Sequence, residues 1–371
     1  MAVVFDHDRY RDRIQRSQQR LAAARRFEEP DQVPVDFIVT ESFCCKMLGV
    51  NISHYYQDRE VSLEVQIAGQ QWAWEHLNDD RTEFALYLDV GPIFEGLLFG
   101  AEIVRPDNTS PWARHVIHTP ADVEKLEVPD PATNPGVEWL LREWETIRDL
   151  AARKGVDVPV GAWFSMHPPL SAACALAGSE LIYGWMYEEP QLIERLFDKL
   201  LQTYLRVKQY EDEVIRGGRR RTTAYLSDDN SAFVSLDMYR RMVMPYNQVI
   251  YERLGKDGRY LHADGPNDHL FALYADELNL TEMDIGGFSD IAAAKRVMVG
   301  KTVIWGGLNC KDLYGDFETA RPAIERAITI GVPGGGYILA ISGGAYAGVN
   351  PDTLVKAVDY AQQISRQNER S

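Results

Sequence analysis

Short apolar runs alternate along this chain with longer stretches whose apolar positions recur every three or four residues. Runs of the first kind lie at residues 33–39, 84–88, 158–164, 222–226, 260–263, 280–285, 302–307 and 336–341. Their length and bounding Gly, Pro and Asp residues predict buried parallel strands. Stretches of the second kind, at 10–27, 62–77, 136–154, 190–213, 236–254, 317–330 and 352–367, predict helices, the fifth continuing through Pro245. Eight strands alternating with helices imply an α/β fold, a single (β/α)8 TIM barrel. Residues 1–30 read as an N-terminal helical extension and 31–371 as the barrel, because no linker or repeat divides the chain.

In such a fold the strand exits converge on one face, so polar residues distant in sequence become neighbours. The exits carry Glu41, Asp89, His167, Asp228, Asp229, His262, Asp264, Asp284, Asn309 and Ser342. His262 and Asp264 are two apart, which on an extended chain puts both side chains on one side. One Asp at a strand end commonly caps the next helix. Carboxylates at several exits repel one another and need protons, a cation or a basic group to coexist. A divalent ion held by His262, Asp264 and Asp284 would meet that need, and Zn, Mn or Fe would suit the donor set. Hydrogen bonds to loop amides and to a cation such as Lys295 are the competing explanation. Trp163, Phe164, Tyr225 and Trp305 stand beside the exits as an apolar wall or as core.

Composition narrows the partners. The 371 residues are 45% hydrophobic and 25% charged, as in a protein with a large core, and the formal net charge is −16. An acidic chain repels phosphate, so nucleic acid and anionic membrane are not expected and a small molecule is. No signal peptide or spanning apolar run is visible, which makes the cytoplasm the expected compartment. Four cysteines form neither a disulfide framework nor a zinc-module spacing. The cluster Arg216–Arg221 reads as a solvated turn. The connection 91–130, rich in Gly, Pro and aromatics, reads as a pocket wall or lid. No nucleotide cofactor is expected. A homodimer is compatible, although no stretch marks an interface.

Several motifs resemble the uroporphyrinogen decarboxylase superfamily, which includes cobalamin-dependent methyltransferases. They are Pro30-Asp31-Gln32-Val33-Pro34-Val35, Phe99-Gly100-Ala101-Glu102 to Pro111-Trp112, and Asp228-Asp229 with the helix Tyr239 to Tyr246. Leu261-His262-Ala263-Asp264-Gly265, Asp290 with Lys295, Gly306-Gly307-Leu308-Asn309 and Gly335-Gly336-Tyr337-Ile338-Leu339-Ala340 continue the likeness. The resemblance implies a (β/α)8 barrel and matches the essential aspartate after the second strand at Asp89. It departs at the first loop, where Thr40-Glu41-Ser42-Phe43-Cys44-Cys45-Lys46 replaces a two-arginine motif, and near Gly343, where a histidine stands in the decarboxylases. It departs equally from the methyltransferase zinc motif: His262-x-Asp264 replaces His-x-Cys, and Ser342-Gly343-Gly344 replaces the last cysteine.

These departures point to decarboxylase or lyase chemistry on a small organic acid or phenolic compound, metal-assisted, and not on uroporphyrinogen itself. Asp89, His167, Asp229 and His262 are the catalytic candidates, Glu41, Asp228, Asn309 and Ser342 the substrate-binding ones, and His262, Asp264 and Asp284 the metal ligands. A corrinoid-linked methyltransferase of O-demethylase type, working with a corrinoid protein, and a non-catalytic binding barrel are the alternatives.

Overall fold

The computed structural model describes residues 5–368; residues 1–4 of the expected extension and 369–371 of the expected barrel lie outside them. In chain order the strands are β1 (Val35–Asp36), β2 (Leu86–Tyr87), β3 (Ile103–Val104), β4 (Trp112–Ala113), β5 (Val160–Gly161), β6 (Thr223–Ser227), β7 (Gly258–His262), β8 (Glu282–Asp284), β9 (Val303–Leu308) and β10 (Tyr337–Ile341). Helices fill most of the chain between them, so the fold is α/β. Every expected strand position is occupied by a strand, several of them shortened to two or three residues. The chain divides into two compact units, one of Asn51–Leu63 and Leu86–Arg259, the other of the described parts of Val3–Val50, Glu64–Ala85 and Tyr260–Ser371.

The second unit holds the main sheet. β1 pairs with β10, β10 with β9, β9 with β8 and β8 with β7, all parallel. All five residues of β10 are buried, which is why that strand reads as an unbroken apolar run. The helix His7–Arg25 carries Arg13, Ser17 and Arg20 at helical spacing on one face. Ser17 Oγ (3.0 Å) and Arg20 Nη1 (3.1 Å) donate to Asp80 Oδ1, and Asp80 Oδ2 accepts the Val35 amide at 3.0 Å. A buried aspartate thereby joins this helix to the first strand of the sheet.

In the first unit β2 pairs with β5 in parallel, with Leu86 opposite Val160, and β3 pairs with β4 as an antiparallel hairpin. The hairpin lies inside the connection 91–130, where no strand was expected: at two residues per strand it is too short to leave a period in the sequence. The helix expected over 236–254 is interrupted by a π-helical turn, Tyr239–Val243, and resumes as Met244–Leu254 with Pro245 in its first turn. Proline is tolerated there because the first amides of a helix have no intrahelical acceptor. Arg221 corrects the reading of its basic cluster as wholly solvated. Its guanidinium is 13% exposed and pairs with Asp212 at 2.8 Å and Glu211 at 3.3 Å.

The pairings within each unit do not trace the closed eight-strand ring expected from the sequence. No helix among the described residues is long and apolar enough to cross a membrane.

Candidate functional site

The candidate residues divide between the two units. The second unit carries Glu41, His262, Asp264, Asp284, Asn309 and Ser342; the first carries Asp89, His167, Asp228 and Asp229.

In the second unit, register brings the imidazole to its carboxylate. His262 stands opposite Asp284 in the β7–β8 ladder, and facing residues of adjacent strands present their side chains on one face. His262 Nδ1 is 2.8 Å from Asp284 Oδ2, and Nε2 is 3.6 Å from Asp264 Oδ2. Asp284 is fixed in turn by the Gly286 amide at 3.0 Å, and Asp264 by the Ser342 hydroxyl. Burial opposes the charge on His262, but the hydrogen bonds and negative charges of Asp264 and Asp284 outweigh it and push the ring up to about 11. Burial likewise works against ionised Asp264, yet bonding to His262 and Ser342 holds its carboxyl below the ordinary range.

Two ligands about 2.1 Å from a tetrahedral ion are about 3.4 Å apart, so His262 Nε2 and Asp264 Oδ2 fit two positions on one ion. Asp284, the third expected ligand, is bonded to the opposite ring nitrogen, the place from which a carboxylate orients a ligating histidine. Asn309 caps the short helical turn after β9, accepting the Lys311 amide at 3.0 Å, and its amide donates to Gly287 O at 3.2 Å. Glu41 opens the helix Glu41–Leu48, for which Thr40 is the N-cap. Gly343 has φ +63, and a Cβ there would lie 2.7 Å from Tyr346 Oη and 3.3 Å from Asp264 Oδ2. A side chain at this position therefore requires Tyr346 to move.

In the first unit Asp89 leaves β2 half-buried. Its carboxylate accepts from Tyr55 Oη (3.0 Å) and from the Gly91 amide (2.9 Å), while Arg59 Nη1 holds its carbonyl at 3.0 Å. Gly91, at φ +75, lets the chain double back so that its amide meets that carboxylate. Burial raises the proton affinity of Asp89 against these donors and against the charge of Arg59. His167 follows β5, its ring 28% exposed, and is bonded through Nδ1 to Glu95 at 2.8 Å. Burial disfavours the imidazolium, but the charge and hydrogen bond of Glu95, with the charges of Asp229 and Asp228, raise its affinity for a proton.

Asp228 is fully buried, and its oxygens are taken by Ser171 Oγ (2.7 Å) and Asn247 Nδ2 (3.0 Å). The carboxylate ties the loop after β6 to two helices. Asp229 beside it is half-buried and opens the short 3-10 turn Asp229–Phe233.

Tyr55, Arg59, Glu95, Ser171 and Asn247 escaped the sequence reading. Glu95 did leave a signal, a lone charge inside the apolar run Pro92-Ile93-Phe94-Glu95-Gly96-Leu97-Leu98, because charged residues are rarely buried without a partner.

The family model for uroporphyrinogen decarboxylase (URO-D) matches residues 16–364. The chain belongs to the URO-D family. Among curated members, the uroporphyrinogen decarboxylase of Alkalilimnicola ehrlichii is 23% identical over 294 residues, 74% of this chain and 77% of the relative. That of Geobacillus thermodenitrificans is 27% identical over 263 residues, 69% of this chain and 72% of the relative. A methyltransferase from Methanosarcina mazei superposes with a TM-score of 0.67 at 19% identity, covering 96% of this chain and 99% of its own; that likeness is one of fold. This URO-D family member thus shares its fold with that methyltransferase.

Proposed function

We propose that this URO-D family protein is a decarboxylase-type lyase acting on a small organic acid or phenolic substrate. The observation that carries this reading is the half-buried Asp89 carboxyl, whose proton affinity is raised by burial while Tyr55 and Gly91 fix its orientation. Decarboxylation replaces a carbon–carboxylate bond with a carbon–hydrogen bond. The acid delivers a proton to carbon, the electron pair of the breaking bond returns to the organic framework, and CO2 departs. An acid whose pKa is raised toward neutrality suits that step better than an ordinary aspartate. His167 and Asp229 are the further acid–base groups of this unit, and solvent reprotonates Asp89. The same reading takes the core strands as a (β/α)8 barrel, supported by the parallel pairings and the whole-chain likeness to the Methanosarcina mazei methyltransferase.

The test offers small aromatic and aliphatic carboxylic acids in deuterated buffer and follows CO2 together with the hydrocarbon product. Expected is one solvent deuterium per CO2 released, with Asp89→Asn slower by about a hundredfold or more. No release from any acid, or release unaffected in Asp89→Asn, would remove this reading.

His262 Nε2 and Asp264 support a second one, a corrinoid-linked methyltransferase. A divalent ion there would supply Lewis acidity toward a hydroxyl or ether oxygen. His262 and Asp264 would hold it, and Asp284 would orient the ring. Near-stoichiometric metal in the purified chain, lost in a His262→Ala, Asp264→Ala double variant, is the expected elemental analysis. Demethylation of aryl ethers only when a corrinoid protein is added would favour this reading over the first.

A further inference from the structure

Glu95 is a charged residue on the short helix Phe94–Leu98, with a side chain 4% exposed. One of its oxygens, Oε1, accepts twice from the same residue, from the His167 amide at 2.6 Å and from ring Nδ1 at 2.8 Å. Holding amide and ring together fixes the imidazole relative to its own backbone, which a single hydrogen bond would leave free to rotate. The opposite nitrogen, Nε2, makes no hydrogen bond among the described residues, and the ring remains 28% exposed. The segment is also tied at its other end: Lys208, itself buried, donates from Nζ to Phe164 O and to Glu211 at 3.1 Å. Phe164 to His167 is thus clamped between a buried anion and a buried cation.

We propose that Glu95 is the positioning residue of a carboxylate–imidazole pair, holding the His167 proton on Nδ1 so that Nε2 is the atom that exchanges a proton with the substrate. This deepens the decarboxylase reading and rests on it for the substrate, an organic acid. A ring fixed by a carboxylate on one nitrogen works as acid or base through the other, and the carboxylate sets tautomer and proton affinity together. The charged groups around His167 in this unit are Glu95 from its helix and Asp228 and Asp229 from the loop after β6. Lys208, from the helix Pro190–Val214, lies within the field of Glu95. A purely structural Glu95, present only to accept the His167 amide, would leave tautomer and titration of the ring untouched.

The test is a nitrogen-15 NMR titration of the full chain with labelled histidines, using His167→Gln to assign its signal among the eight. Expected in the unmodified chain is a neutral His167 protonated on Nδ1, titrating above the ordinary histidine value. In Glu95→Gln the midpoint should fall by about one unit or more, and in Glu95→Asp it should recover part of that loss. A neutral ring protonated on Nε2 in the unmodified chain would overturn the proposal with no variant needed, so failure of Glu95→Gln to fold leaves the question decidable. A folded Glu95→Gln with an unmoved midpoint would overturn it as well. The titration uses no substrate, so its outcome is separate from that of the CO2 assay.

Discussion

Asp228 and Asp89 are both strand-exit aspartates, and their surroundings differ. Asp228 commits both oxygens to Ser171 and Asn247 inside the protein, and burial outweighs those bonds and pushes its carboxyl up to about 6. Asp228→Ala should cost about 2–3 kcal/mol in denaturant unfolding, because a buried hydroxyl and a buried amide both lose their acceptor. Asp228→Asn should cost less: Asn247 Oδ1 has no hydrogen-bond partner among the described residues, so its amide can turn to accept from the new one. The pH dependence follows from the raised affinity. Between the unfolded value of about 3.9 and the folded one the native state binds more protons, so stability falls as pH rises through that window. Asp228→Asn should flatten that fall, as read from unfolding midpoints at pH 4, 5, 6 and 7. Position at a strand exit was legible in the sequence for both aspartates. Burial, which separates fully buried Asp228 from half-buried Asp89, was not, because it depends on what the helices bearing Ser171 and Asn247 bring against the loop.

At the scale of elements, apolar run length located the strands, since a buried parallel strand must be apolar on both faces, as β10 is. Their ends were less legible: run 158–164 pairs only over Val160–Gly161, and hydrogen bonding, not hydropathy, decides where a ladder stops. The meeting of His262 with Asp284 was half-legible. Both were placed at exits, but their facing positions depend on β7–β8 register, which no single strand encodes. The N-terminal helix illustrates the same limit. Its basic character was evident, whereas the target was not: Arg13 donates to Trp74 O (3.0 Å), Leu77 O (2.6 Å) and Asp79 O (3.0 Å) around the end of the helix Arg59–His76. It also meets Asp79 Oδ1 at 2.9 Å. Arg13→Ala should destabilise the protein by about 3 kcal/mol in chemical denaturation, with Arg13→Lys recovering only part, because an ammonium cannot span those acceptors. An Arg13→Ala chain as stable as the unmodified one would mean that water replaces the guanidinium there.

For the whole molecule, the net charge of −16 bears on the substrate. A polycarboxylate tetrapyrrole approaches an acidic protein against its field, and the first loop lacks the arginines that would offset this locally. The purified chain should therefore leave uroporphyrinogen unchanged under conditions in which a curated relative, such as the Geobacillus thermodenitrificans enzyme, converts it. Turnover at a comparable rate would return this protein to the tetrapyrrole branch. The pairing of β1 with β10 carries a different consequence, for the order in which the protein is made. Val35 lies against Leu339, and the two leave the ribosome about 300 residues apart. At about 5–20 residues per second, the first strand waits roughly 15–60 s for its neighbour. During that interval Pro34 O, just before β1, lacks the Leu339 amide that finally bonds it, so nascent chains halted before β10 should be the ones that chaperones retain.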